Sequence, residues 1–166
     1  MNLSPDCQTR VKLEWAVALI VTAGGCAGMS YTIEDRELLG RPAFAVLTTL
    51  AADDSPQSTV MWYRLDGDDL RMIAPAASVK ARHIARDDRV TLVVTDPANA
   101  YAYVEVRGQA SLVRDDAAAR EELRRIAARY IGEGAERYAR SLSADPRVII
   151  VVRAERVRGR HNQSPG

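Results

Sequence analysis

The stretch STVMWYRLDGDDLRMIAPAASVKARHIARDDRVTLVVTD, Ser58–Asp96, decides the fold. Its first part, Ser58–Leu65, is rich in β-branched and aromatic residues and reads as a strand. Asp66–Asp69 follows as DGDD, and Asp-Gly is the strongest short hairpin signal. Leu70–Pro75 returns as a second strand. Two alanines then lead to Ser78, which can cap a short helix over Val79–Arg86. Arg89–Asp96 is another strand. Strands joined by a hairpin, with one short helix between, favour an antiparallel sheet or closed barrel over a βαβ layout.

The flanks extend the same pattern. Thr32–Gly40 reads as a helix capped by Thr32 and stopped by Gly40 and Pro42. Ala43–Leu50 is a strand of buried type, and AADDSPQ after it is a turn. Ala102–Arg114 is a long strand whose Gly108 marks a bulge or bend. Asp115–Gly132 is the clearest helix, with Leu123, Ile126, Ala127, Tyr130 and Ile131 on one face. A second helical piece covers Ala135–Ser143, and Arg147–Val157 is the last strand. The tail RGRHNQSPG is expected to fray. The class is mostly β with α, an α+β domain over residues 30–160.

Composition narrows the function. The 166 residues hold 23 Lys plus Arg against 22 Asp plus Glu, a net charge of +1. That balance gives no global field toward nucleic acid or a membrane surface, so neither partner is expected. The two cysteines, Cys7 and Cys26, both precede the domain, which excludes a disulfide framework and fits a reducing, cytoplasmic setting. Residues 1–29 differ from the rest: Arg10 and Lys12 precede an apolar run from Trp15 to Met29. Three readings stand: an extension ahead of a true start at Met29, a secretory signal or anchor, and an extra helix. Residues 161–166 are expected to be a flexible tail.

Much catalytic chemistry is missing. There is no G-x-S-x-G elbow, no phosphate loop ending in Gly-Lys-Ser/Thr, and no G-x-G-x-x-G after a strand. No His, Cys or carboxylate cluster has metal-ligand spacing. A hydrolytic triad would rest on His83 alone, which reads better as a surface or packing residue. Any enzyme built this way needs a bound cofactor to do the chemistry.

What is present is cationic. Only Lys12 and Lys80 are lysines in an arginine-rich chain. Ser78, Lys80 and Arg82 surround the start of the short helix, where free N–H groups favour an anion. They read as a phosphate site or as a solvated helix face. Tyr101 and Tyr103 either stack on a planar ring or cover the core. Trp62 and Tyr63 are neighbours on one strand, so one faces inward and the other outward.

The order of these motifs resembles the split-barrel flavin and deazaflavin oxidoreductases, relatives of pyridoxamine 5′-phosphate oxidase. The resemblance runs from Thr32 to Gly159 and rests on order and spacing: Thr-Thr in a strand, Ser-Pro-Gln, Trp-Tyr, Asp-Gly, Lys-x-Arg, and Arg-Asp-Asp-Arg-Val. It looks most like the actinobacterial branch that uses the deazaflavin coenzyme F420. The resemblance implies a six-stranded antiparallel split barrel, working as a homodimer with cofactor at the interface and a small-molecule substrate. It makes Lys80 the phosphate-binding lysine, with Ser78 and Arg82 beside it. It places Gln57, Thr59 and Met61 on the strand lining the ring, and Ile73 and Ala74 on its neighbour. FMN, or a carrier role without turnover, is the alternative. A longer cationic track, from Arg86 and Arg89, would favour the deazaflavin and its more anionic tail. The chain departs from the family at His83-Ile84, where Asn-Leu is usual, and at Asp87-Asp88, where Asp-Pro is usual.

Overall fold

The computed structural model describes residues 31–142 and 144–161. The segment 1–29 and the tail from residue 162 therefore lie outside the described residues. The chain forms α1 (Ile33–Leu39), β1 (Ala45–Leu50), β2 (Pro56–Met61), β3 (Arg64–Asp66), β4 (Asp69–Pro75), α2 (Val79–Arg86), β5 (Arg89–Asp96), β6 (Asn99–Val113), α3 (Asp116–Ile131), α4 (Ala135–Ser141) and β7 (Arg147–Arg160). A 3-10 turn, Gly132–Gly134, separates α3 from α4. Among the described residues no helix is long and apolar enough to cross a membrane.

The strands make one antiparallel sheet in the order β2-β1-β5-β6-β7-β4-β3. Its two end strands, β2 and β3, are consecutive in the chain, joined through Trp62 and Tyr63 alone. Three residue steps span at most about 11 Å. The sheet must therefore curl until its ends nearly meet. This is why the strand expected over Ser58–Leu65 is two strands and the sheet has seven. Tyr63 turns into the interior and is fully buried, while Trp62 remains half-buried.

Closure is incomplete. β3 pairs only Arg64–Asp66 with Asp69–Arg71. Met72–Pro75 of β4 therefore has no ladder partner on that side, and β2 pairs only with β1. Two unpaired edges face the gap, which makes the fold a split barrel. Tyr130 of α3 spans part of it. Its hydroxyl donates to Ala43 O (2.6 Å) and accepts from Tyr63 N–H (3.1 Å), a group the ladder leaves without an acceptor. Burial raises the Tyr130 phenol above its ordinary range.

Alternation sets the core. Ala45 and Leu47 of β1, Leu92 and Val94 of β5, Val104 and Val106 of β6, and Ile150 and Val152 of β7 point inward. The register of β6 against β7 shifts between Arg107 and Gly108, at the expected bend. A Cβ on Gly108 would lie 1.9 Å from the carbonyl oxygen of Arg153, so only glycine permits this approach.

The helices follow their caps. Thr32 and Asp35 form a reciprocal capping box at α1, with Asp35 N–H donating to Thr32 Oγ1 (3.1 Å) and Thr32 N–H to Asp35 Oδ2 (2.9 Å). α3 lies on the outer face of β4 and β7. Its buried face is rotated from the expected one: Glu122 is inside and Ile131 is partly exposed. The cause is Arg64 of β3, whose Nε and Nη2 donate to the two oxygens of Glu122 (2.8 and 3.0 Å). β7 runs to Arg160, three residues past the expected end at Val157. Beyond it, His161 Nε2 meets the buried Asp35 carboxylate at 2.7 Å, which ties the strand end to α1.

Candidate cofactor site

The expected ring-lining residues lie on the two edge strands, and Met61 of β2 and Ile73 of β4 line one concavity. Gln57, Thr59 and Met61 lie opposite Thr49, Leu47 and Ala45, so they share the inward face of β2. Gln57 is exposed, Thr59 half-buried and Met61 buried, so the inward face opens toward the start of β2. Ile73 and Ala74 face opposite ways on β4. Ile73 faces outward, while Ala74 is buried inside the barrel and offers a ligand its backbone edge, not its methyl group. An edge strand presents free N–H and C=O groups, the right complement for the polar rim of a flat heterocycle.

Beside the gap is a concavity of about 280 Å³ between the sheet and the α3–α4 pair. Met61, Trp62 and Ile73 form its sheet wall, and Leu123 and Ile126 its helical wall. Trp62 stacks on Tyr130 at 4.7 Å between ring centroids, with 8° between planes, and leans on Tyr138 at 5.2 Å. Tyr101 and Tyr103 lie elsewhere, on the outer face of β6, and do not cover the core.

The turn into α2 follows β4 directly. Ser78 caps α2, its hydroxyl oxygen accepting from Ala81 N–H at 3.4 Å. Arg82 Nη1 donates back to Ala77 O (2.6 Å), which braces the turn. Lys80 is half-buried, and that burial lowers its pKa below the ordinary lysine value. It has no carboxylate partner among the described residues. A half-buried ammonium without a counter-charge costs stability unless an anion reaches it. Ser78, Lys80 and the free N–H groups of α2 therefore fit a phosphate.

Two of the expected cations are engaged elsewhere. Arg86 Nη2 donates to the carbonyls of Leu50 (3.2 Å) and Ala51, bracing the β1–β2 turn. Arg89 is held by Asp87, which it pulls down to a pKa of about 2 through direct hydrogen bonds. Neither extends the cationic track as a free donor. His83 does have a partner, Thr49 Oγ1, at 3.1 Å from Nδ1. Sequence gave no signal for it, because Thr49 is 34 residues away on another element.

An antiparallel barrel split along one seam is the class that this fold defines. The pyridoxamine 5′-phosphate oxidase family matches residues 31–161, and the chain belongs to it. A solved F420 reductase is 35% identical, with 74% of this chain and 94% of that one aligned and a TM-score of 0.62. A conserved hypothetical protein of Mycobacterium tuberculosis is 23% identical over 84% of this chain and 96% of its own, with a TM-score of 0.64. General Stress Protein 26 of Bacillus anthracis is 17% identical over 76% and 90%, with a TM-score of 0.58. These last two share the fold. No curated protein sequence matches the chain.

Proposed function

We propose that the protein is an F420-dependent oxidoreductase that transfers hydride from the reduced deazaflavin to a small unsaturated substrate. The observation that carries this reading is Lys80: a half-buried ammonium without a counter-ion among the described residues, at the end of a seam bounded by unpaired backbone. The likeness to an F420 reductase at 35% identity favours the deazaflavin. When bound, that coenzyme supplies the hydride. The chain's own residues do the rest. Ser78, Lys80 and the first N–H groups of α2 hold the phosphate. The edges of β2 and β4 orient the ring, and Trp62, Ile73, Leu123 and Ile126 keep water from the reacting face.

The protein works as a homodimer in this reading. Val46 and Val60 are direct cross-strand partners on the outer face of β1 and β2, and with Phe44 they leave an exposed apolar patch beside the seam. A second copy on that patch would wall the cofactor groove from outside. FMN is the second reading, favoured by the engagement of Arg86 and Arg89, since a shorter phosphate tail needs no further cations. Fluorescence titration of the full chain with F420 and, separately, with FMN tests the choice. Micromolar or tighter binding of F420, at least tenfold stronger than FMN, is expected. The reverse order replaces the deazaflavin by FMN, and binding of neither removes the oxidoreductase reading.

A further inference from the structure

Arg147 is the first residue of β7, and its side chain lines the concavity under α3. It is 8% exposed. Its Nε has no hydrogen-bond acceptor, and its guanidinium forms no ion pair among the described residues. The Nε of Arg71 and of Arg129 is also buried outside hydrogen-bond geometry, but both guanidinium groups are held. Arg71 pairs with Asp66 at 2.9 Å, and Arg129 Nη2 donates to the carbonyls of Gly40 and Arg41 (3.1 and 3.0 Å). Asp116 feels the Arg147 charge but makes no ion pair with its guanidinium: it accepts from the Arg147 backbone N–H (2.8 Å) and pairs its other oxygen with Arg120 (2.8 Å). A guanidinium cannot shed its proton to escape burial, so an anion placed on it is favoured.

The rest of the cavity says what carries that anion. Its walls are apolar and aromatic, with Phe44, Trp62 and Tyr138 around one cation. Arg147 is also the cross-strand partner of Pro75, and Pro146 O accepts from Ala76 N–H at 2.8 Å. The cation thus stands beside the turn that leads to Lys80, yet on a separate element. We propose that this cavity takes a small planar unsaturated carboxylate, its apolar body against Trp62 and Phe44 and its carboxylate on the planar fork of Arg147. Arg147 is then the specificity residue for the hydride acceptor. The acceptor role rests on the oxidoreductase reading above, but the binding does not.

Calorimetric titration of the full chain with trans-cinnamate and its neutral isostere cinnamamide, without added coenzyme, tests it. Wild type should bind cinnamate at least tenfold tighter than the amide. Arg147→Gln should reduce cinnamate affinity to that of the amide and leave the amide unchanged, and Arg147→Lys should recover part of the preference. Equal affinities in wild type, or no binding of either compound at millimolar concentration, would overturn the proposal even if the glutamine variant does not fold. Retention of the preference in a folded Arg147→Gln would also overturn it. F420 titration of the same variants separates the two readings. Normal coenzyme affinity without cinnamate preference sinks this proposal alone. Cinnamate preference without coenzyme binding sinks the redox reading alone. Loss of coenzyme affinity in Arg147→Gln with the cinnamate preference intact assigns the guanidinium to the cofactor and ends the proposal.

Discussion

Lys80 is costly to the fold and, in the proposed function, useful to the site. Its pKa is lowered by burial, so the folded chain holds the proton less tightly than the unfolded chain does. The cost is therefore present at neutral pH and fades as pH rises toward the ordinary lysine value. Lys80→Met should leave thermal stability at pH 7 equal to or above wild type, with the difference vanishing at high pH, while F420 affinity falls at least tenfold. Differential scanning calorimetry beside the fluorescence titration reads both. A variant that loses stability and keeps affinity would make Lys80 a structural residue. Lys80 was legible in the sequence, because it is the single lysine of an arginine-rich domain and follows a cap signal. Arg147 was not. A charged residue at the start of an apolar run reads as a strand boundary, and its burial depends on α3 crossing above it. The Thr49–His83 bond was hidden for a similar reason, since it joins two elements at the family's departure from Asn-Leu.

At the scale of elements, the seam depends on two devices. The first is the Tyr130 hydroxyl, which replaces the ladder where β2 passes into β3. Tyr130→Phe leaves a buried N–H without an acceptor and should cost about 2 kcal/mol, read as a lower urea midpoint at unchanged slope. The second is Gly108. Alanine there meets backbone, which cannot swing aside, so Gly108→Ala should cost about 3 kcal/mol or more or prevent folding. A stability change below 1 kcal/mol would show that the β6–β7 register has room to move. The bulge at Gly108 was legible, because a glycine inside a long β-branched strand has few other meanings. The break at Trp62–Tyr63 was not. Eight strand-forming residues in a row carry no local sign that the chain leaves one end of the sheet and joins the other. That sign exists only in the order of all seven strands.

For the whole molecule, the helices, the strand order along the chain and the capped turn into α2 could be read from propensity, caps and hairpin chemistry. Curling of the sheet and the unpaired edges could not, since they follow from which strands end up adjacent. The same closure leaves the apolar patch of Phe44, Val46 and Val60 on the outside. Val46→Asp should turn a dimer into a monomer in analytical ultracentrifugation; a wild-type chain that sediments as a monomer removes the dimer from the account. In the proposed function, two free strand edges and the start of α2 together hold a phosphate-bearing ring. Backbone amide hydrogen exchange of the full chain, with and without F420, measures this directly. Added coenzyme should slow exchange at residues 57–61, 72–74 and 78–81 and leave the β6–β7 ribbon unchanged. Protection confined to other segments, or no protection at saturating coenzyme, would contradict the account.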